Sequence, residues 1–191
     1  MGTLESFAPS GHLLRLVLEQ AADRVAHRIE VLDSAARVLA ELRSVEGSSA
    51  DDWPPSPALQ SCSVQEIRPG QTAAFLVGMA GKSHWSASME AVPHEGVIAF
   101  DFACRVQAMP LWLGNSYDNL LRSPNTGIQF QVLPAGIAIH ASTPALGPRP
   151  ANSDQPGVQP LRFACPEATP VKFPTTLRWQ YRIYLTAAAN S

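Results

Sequence analysis

The sequence predicts an α+β fold, in which one N-terminal helix packs on a twisted, largely antiparallel sheet of six to eight strands, with an open barrel as a variant of that sheet. Two observations predict the sheet: apolar and polar residues alternate over Thr72–Gln107, and they alternate again over Leu177–Leu185. A third predicts the helix: apolar residues recur every three or four positions over Leu14–Leu42. We expect the 191 residues to form a single domain.

The N-terminal segment, residues 11–46, allows two interpretations. One continuous helix over Gly11–Ser44 would be about 50 Å long, which exceeds the width of a domain of this size. The interpretation that we favour ends the helix near Ala22 and pairs Arg24–Leu32 with Arg37–Val45 as a hairpin. The pairs in that hairpin are Val31 with Val38, Ile29 with Ala40, and Arg28 with Glu41.

Seventeen prolines are unevenly distributed along the chain. Proline lacks a backbone donor and fixes φ, so a proline-rich stretch does not form interior strand or helix. We expect the cluster at 50–58 to connect the N-terminal segment to a sheet at 59–142; a domain boundary at Asp51–Pro57 is the alternative. The second cluster forms a predicted proline-rich loop at 143–174, of which Thr143–Pro160 is expected to be a surface loop. It leads to a C-terminal strand at 176–186, in which Trp179 is buried against the core of the sheet.

The centre of the predicted sheet is a hairpin of Ser83–Val92 with Val97–Gln107 around the turn Pro93–Gly96. Pairing around this turn gives both strands one apolar and one polar face, as a half-buried antiparallel pair requires. The apolar pairs are Trp85 with Cys104, Ala87 with Phe102, Met89 with Phe100, and Ala91 with Ile98; the polar face pairs His84 with Arg105, Ser88 with Asp101, and Glu90 with Ala99.

The preceding strand, Thr72–Met79, can join this hairpin through a turn of two or of three residues. A two-residue turn, Gly81-Lys82, would place Phe75 and Val77 on the polar side. Because a shift of one residue moves every side chain to the other face, a three-residue turn at Ala80–Lys82 places both on the apolar side, and we predict that turn. Further strands are predicted at Gly127–Leu133, Ile137–Ser142, Leu161–Cys165 and Leu177–Leu185.

The polar face of the central hairpin contains the residue types that nucleophilic hydrolysis uses. His84 and Ser88 lie about 13 Å apart along one strand, however, which is too far for direct proton transfer. A solvated face is therefore the simpler interpretation. If the protein is a small hydrolase-like enzyme, its candidate catalytic residues are His84, Ser86, Ser88, Glu90 and Asp101.

Aromatic and amide side chains also come together at Leu111–Asp118, in a predicted connection between strands. Trp and Tyr are enriched in binding sites, and connections often contain functional residues. The candidate ligand-binding residues are Trp112, Asn115 and Tyr117 in this connection, together with Arg105 and Arg182. The sequence has neither the ligand spacing of a metal motif nor a Gly-rich phosphate loop, so we expect no metal and no cofactor.

Composition narrows the function further. A net charge of −2 predicts neither a nucleic-acid nor a membrane partner. Three cysteines do not form a disulfide framework and fit a reducing compartment, so we expect a soluble, cytoplasmic domain. We predict a non-catalytic module that binds a small molecule or a protein; the alternative is a hydrolase-like enzyme that uses the polar face of residues 83–105.

Overall fold

A computed structural model describes residues 1–121, 129–134, 161–165 and 172–186. In chain order their strands are β1 (Thr3–Phe7), β2 (Leu13–Ala21), β3 (Arg24–Leu32), β4 (Val38–Ser44), β5 (Ser61–Arg68), β6 (Gln71–Ala80), β7 (Ser83–Val92), β8 (Val97–Val106), β9 (Gly114–Leu121), β10 (Gln129–Pro134), β11 (Leu161–Ala164) and β12 (Thr175–Thr186). Sheet A has the order β1-β2-β3-β4-β9-β11, and sheet B has the order β10-β12-β8-β7-β6-β5. The strand pairs in both sheets are antiparallel.

The two sheets share one hydrophobic core. Its members include Leu14, Leu16 and Ile29 from sheet A, and Phe100 and Ile183 from sheet B. Alternate side chains of β2, β7 and β8 enter this core, and the two sheets pack on it from opposite sides as a β-sandwich. They contain no helix that is long and apolar enough to cross a membrane.

The prediction of an α+β fold with an N-terminal helix is wrong, because the described part of the chain is all-β. The predicted helical residues form β2, which pairs with β1 on one side and β3 on the other. Leu14, Leu16 and Leu18 are all buried, with partly exposed residues between them. The spacing of four between Leu14 and Leu18 is therefore two steps of a strand, and sheet pairing on both edges overrides the helical propensity of leucine and alanine.

The hairpin favoured for the rest of that segment is present, with a different register. β3 covers the predicted residues, but Val31 lies opposite Ala40, two residues away from its predicted partner, and the ladder is irregular after Val31. Arg28 consequently does not face a glutamate across this pair. Its guanidinium donates instead to Glu19 at 2.5 Å and to Glu30 at 2.8 Å.

The predicted register of the central hairpin is confirmed in β7 and β8, where Trp85 lies opposite Cys104 and His84 opposite Arg105. The C-terminal strand is confirmed as β12, which pairs with β8 and β10. As predicted, Trp179 is buried in the core, with its ring stacked on Phe102 at a centroid distance of 5.4 Å. The C-terminal strand therefore lies inside sheet B.

The predicted three-residue turn before β7 is wrong. Ala80 lies opposite Ser83, and the turn consists of Gly81 and Lys82, with Gly81 at a φ of 53°. Gly78 therefore faces Trp85, and a Cβ on Gly78 would lie 2.0 Å from the carbonyl oxygen of Ala58. The three-residue turn would place a valine at this position, where the segment before β5 leaves no room.

The remaining strand predictions have mixed outcomes. Most of the predicted connection Leu111–Asp118 belongs to a strand, because β9 of sheet A begins at Gly114. The strand predicted at Leu161–Cys165 is confirmed as β11, and the one predicted at Gly127–Leu133 is confirmed in part as β10. The predicted strand at 137–142 and the predicted surface loop at 143–160 lie outside the described residues.

Candidate functional site

The outer face of sheet B consists of the side chains that point away from the core on β5 to β8 and β12. It contains the predicted polar residues of β7 and β8, and also three apolar residues of β6 that follow one another along the strand. These three residues, which we call the apolar row, are Phe75, Val77 and Met79, with exposed fractions of 40%, 56% and 46%. The three-residue turn predicts Phe75 and Val77 in the core, and the two-residue turn of the structure places them on the outer face instead.

Serines border the apolar row on both sides. Phe75 lies between Ser63 of β5 and Ser88 of β7, and Val77 lies between Ser61 and Ser86. Because serine is small, the large side chains of the row rise above the neighbouring strands. A contiguous exposed row of this kind, bordered by polar residues, is typical of an interaction surface.

The polar half of the outer face is organised around Asp101. The Arg178 guanidinium donates to both oxygens of this carboxylate, with Nε 2.7 Å from Oδ1, and the Gln180 amide donates to Oδ2 at 2.9 Å. Partial burial raises the pKa of Asp101, but the hydrogen bonds from Arg178 and Gln180 and the charge of Arg178 outweigh it and hold the pKa below its usual value. Asp101 is therefore an ionised carboxylate engaged with β12.

The structure does not assemble the predicted catalytic residues into one centre. Ser88 lies opposite Asp101, whereas exposed His84 lies four residues along β7 from Ser88, about 13 Å away. Ser86 is exposed between them, and Glu90 accepts a hydrogen bond from the side chain of Gln71. Within the described residues, no group of three His, Cys, Asp or Glu side chains is arranged to hold a metal ion.

The candidate ligand-binding residues are divided between the core and the surface. Asn115 and Tyr117 are fully buried side chains of β9. Arg105 and Arg182 are exposed on β8 and β12, on the outer face of sheet B. Trp112 is partly buried, and its indole Nε1 donates to the carbonyl oxygen of Pro55 at 2.9 Å. The structure therefore separates these five residues.

A chain of buried polar groups, which the sequence does not predict, crosses the core from sheet A to sheet B. His27 Nε2 lies 2.7 Å from the Tyr117 hydroxyl, which lies 2.5 Å from the Tyr181 hydroxyl. On the other side of His27, Ser44 Oγ accepts from the His27 backbone N–H at 2.9 Å and donates to Glu46 at 2.5 Å. No local signal marks these residues, which come from four different segments of the chain.

Burial keeps the central groups of this polar chain, His27, Tyr117 and Tyr181, neutral near pH 7. Burial lowers the pKa of His27 to about 3. It raises the pKa of Glu46 to about 7, although the hydrogen bond from Ser44 and the charge of Arg24 oppose that shift. Burial also raises the pKa values of Tyr117 and Tyr181 well above the ordinary value of a phenol. Because its central groups are closed to solvent, the chain is suited to joining the two sheets.

The outer face of sheet B is thus the candidate site that an external molecule can reach. A shallow open depression of about 430 Å³, lined by Glu66, Ile67, Arg68 and Pro69, lies beside it at the turn between β5 and β6. Comparison of the chain with protein-family models, with curated proteins and with solved structures finds no match.

Proposed function

We propose that the protein is a non-catalytic protein-binding domain and that its binding surface is the outer face of sheet B around the apolar row. The supporting observation is the exposure of Phe75, Val77 and Met79 on a face whose reverse side already fills the core. Covering apolar surface is favourable by about 25 cal/mol per Å². Folding of this chain leaves the apolar row exposed to water. A partner that covers the row therefore binds with a favourable contribution from the burial of these side chains.

The shape of the face favours a protein over a small molecule. Small-molecule sites are concave and enclose most of the ligand, whereas the apolar row rises from a sheet bordered by serines. An apolar centre with a polar rim is typical of protein interfaces. The hydrolase-like alternative and a small-molecule ligand stay predictions. The geometry gives the former little support, because Asp101 is bound by Arg178 and Gln180 and not by His84.

Photo-cross-linking tests this function. We replace Phe75 with benzoylphenylalanine in the source organism, and we place the same residue at Phe7 as the matched control. Phe7 is also an exposed phenylalanine (55%), but it lies on β1 of sheet A. We expect residue 75 to form an adduct with a defined protein, either this chain or another, that Val77→Lys removes and that forms again from purified components. No adduct at residue 75, or the same adducts at residues 75 and 7, would overturn the proposal.

A further inference from the structure

We propose that the partner is a second copy of this chain, and that two outer faces of sheet B pack together about a two-fold axis through Val77 and Ser86. This inference rests on the proposed function and identifies its partner. The axis lies in the interface and runs across the strands, so that β6 of one copy lies antiparallel over β6 of the other. Closed two-fold dimers are the commonest protein oligomers, and their interfaces are self-complementary.

The charges at the two ends of β7 fit this symmetry. Ser86 lies opposite Val77, the middle residue of the apolar row. Glu90 follows Ser86 by four residues on β7, roughly 13 Å away at the rise of an extended strand, and exposed Lys82 precedes Ser86 by four residues, in the turn at the other end of β7. Neither takes part in an ion pair within the described residues. The two-fold axis brings Lys82 of each copy over Glu90 of the other.

The charges of β8 repeat the pattern. Ala103 lies opposite Ser86, and Asp101 and Arg105 lie two residues to either side of it. The same axis therefore brings Arg105 of each copy over Asp101 of the other, but this carboxylate is already bound by Arg178 of its own copy, so the contact adds less than that between Lys82 and Glu90. Arg178 lies opposite Ala103, close to the axis, but its guanidinium is already neutralised by Asp101. No uncompensated cations consequently meet at the centre.

The apolar row fits the same axis. Reversal of the strand places Phe75 of one copy over Met79 of the other, and Val77 over Val77. Contact between a thioether and an aromatic ring is favourable. A two-fold axis along β7 would instead align the two copies in parallel, with Lys82 over Lys82 and Glu90 over Glu90. Charge complementarity thus selects the antiparallel dimer over the parallel one.

The size of the face sets the strength of the dimer. Four strands from β5 to β8 are about 20 Å wide, and the stretch from Lys82 to Glu90 is about 26 Å long, which gives on the order of 500 Å² per copy. A standard interface buries about 800 Å² per partner, and smaller ones are weak or transient. We therefore expect a dimer that dissociates on dilution and weakens at high salt.

Sedimentation velocity of the purified full chain, from micromolar to millimolar concentration, tests this inference. We expect Lys82→Glu and Glu90→Lys each to weaken dimerisation at least about tenfold, because each creates two like-charge contacts. The double variant Lys82→Glu with Glu90→Lys restores both contacts and should return the dissociation constant to near the wild-type value. Val77→Lys should abolish the dimer. The matched control is Leu111→Lys, at a residue that is 91% exposed outside the face, and it should have no effect.

Two results would overturn the self-association. One is a wild-type chain that stays monomeric up to millimolar concentration. The other is a double variant that stays monomeric although its circular dichroism matches the wild type. The protein-binding function is tested separately, because a cross-link from residue 75 to a different protein would support that function while excluding the second copy as partner.

Discussion

Trp179→Ala is expected to lower the free energy of unfolding by about 3–5 kcal/mol, the usual range for removing a buried tryptophan. The indole stacks on Phe102 and meets Trp85 edge to face at a centroid distance of 6.1 Å. Its Nε1 donates to the buried Asn115 oxygen at 2.8 Å, across the two sheets. Alanine leaves a cavity and an unpaired amide oxygen. Urea unfolding of the variant and the wild type measures the loss.

Two companion variants separate the causes. Trp179→Phe keeps an aromatic ring but removes the bond to Asn115, and it is expected to cost about 1–3 kcal/mol. Arg182→Ala, on the exposed side of the same strand, should stay within about 0.5 kcal/mol of the wild type. A loss of less than about 1 kcal/mol for Trp179→Ala, far below the usual range, would mean that β12 is peripheral to the core.

Glu46→Gln changes the free energy of unfolding by an amount that depends on pH. We expect this change to be about 3 kcal/mol more favourable above pH 7 than at pH 4.5. In the folded state the pKa of Glu46 is about 7, compared with 4.5 for an exposed glutamate. A raised carboxyl pKa stabilises the folded state below pH 4.5, and this stability is lost as the pH rises through 7. Glutamine can still accept the hydrogen bond from Ser44 but does not titrate, so the difference between the two proteins isolates Glu46.

His27 acts in the opposite direction. Its folded pKa of about 3 lies below the ordinary 6.5, so stability is lost as the pH falls from 6.5 towards 3. Between pH 6.5 and 4.5 the changes due to His27 and Glu46 oppose each other, and the wild-type stability should vary little from these two groups. In the Glu46→Gln variant, the free energy of unfolding should begin to decrease as soon as the pH falls below 6.5.

Urea unfolding of the wild type and the Glu46→Gln variant across this pH range tests the opposing contributions of His27 and Glu46. The matched control is Glu95→Gln, at an exposed glutamate. Glu95→Gln should follow the wild-type profile. If Glu46→Gln also ran parallel to the wild type at every pH, the carboxyl of Glu46 would not be buried beside Ser44, and the polar chain would end at Ser44.

The parts of the fold that the sequence predicts are those that two strands specify independently. Alternation in β7 and alternation in β8 agree around one turn, so the register of Trp85 opposite Cys104 follows from local pattern. The register of β6 does not follow, because it depends on the backbone of Ala58, a contact between distant segments that fills the space beside Gly78. For β2, Leu14 and Leu18 fit both a helical and a strand period, and pairing partners decide between them.

The candidate site was predictable in part. The polar residues of β7 and β8 follow from the same alternation, and they do lie on one outer face. The sequence predicts Phe75 and Val77 in the core, because the three-residue turn is the one that buries both of these apolar side chains. The preference for burying such side chains is a one-way rule, since folded proteins leave much apolar surface exposed. The buried chain of His27, Tyr117 and Tyr181 has no sequence signal, because its members meet only after both sheets have formed.

The position of the apolar row on the outside of sheet B is the basis of both proposals, and cysteine labelling tests it most directly. Val77→Cys and Leu76→Cys introduce a thiol at neighbouring positions, one exposed and one buried. With wild-type labelling subtracted, and at a concentration at which the chain is monomeric, the thiol at 77 should react with a maleimide as fast as a free thiol, whereas the thiol at 76 should stay protected until the protein unfolds. A protected thiol at 77 together with a reactive thiol at 76 would contradict the account, because it would require the three-residue turn and would remove the apolar row from the surface.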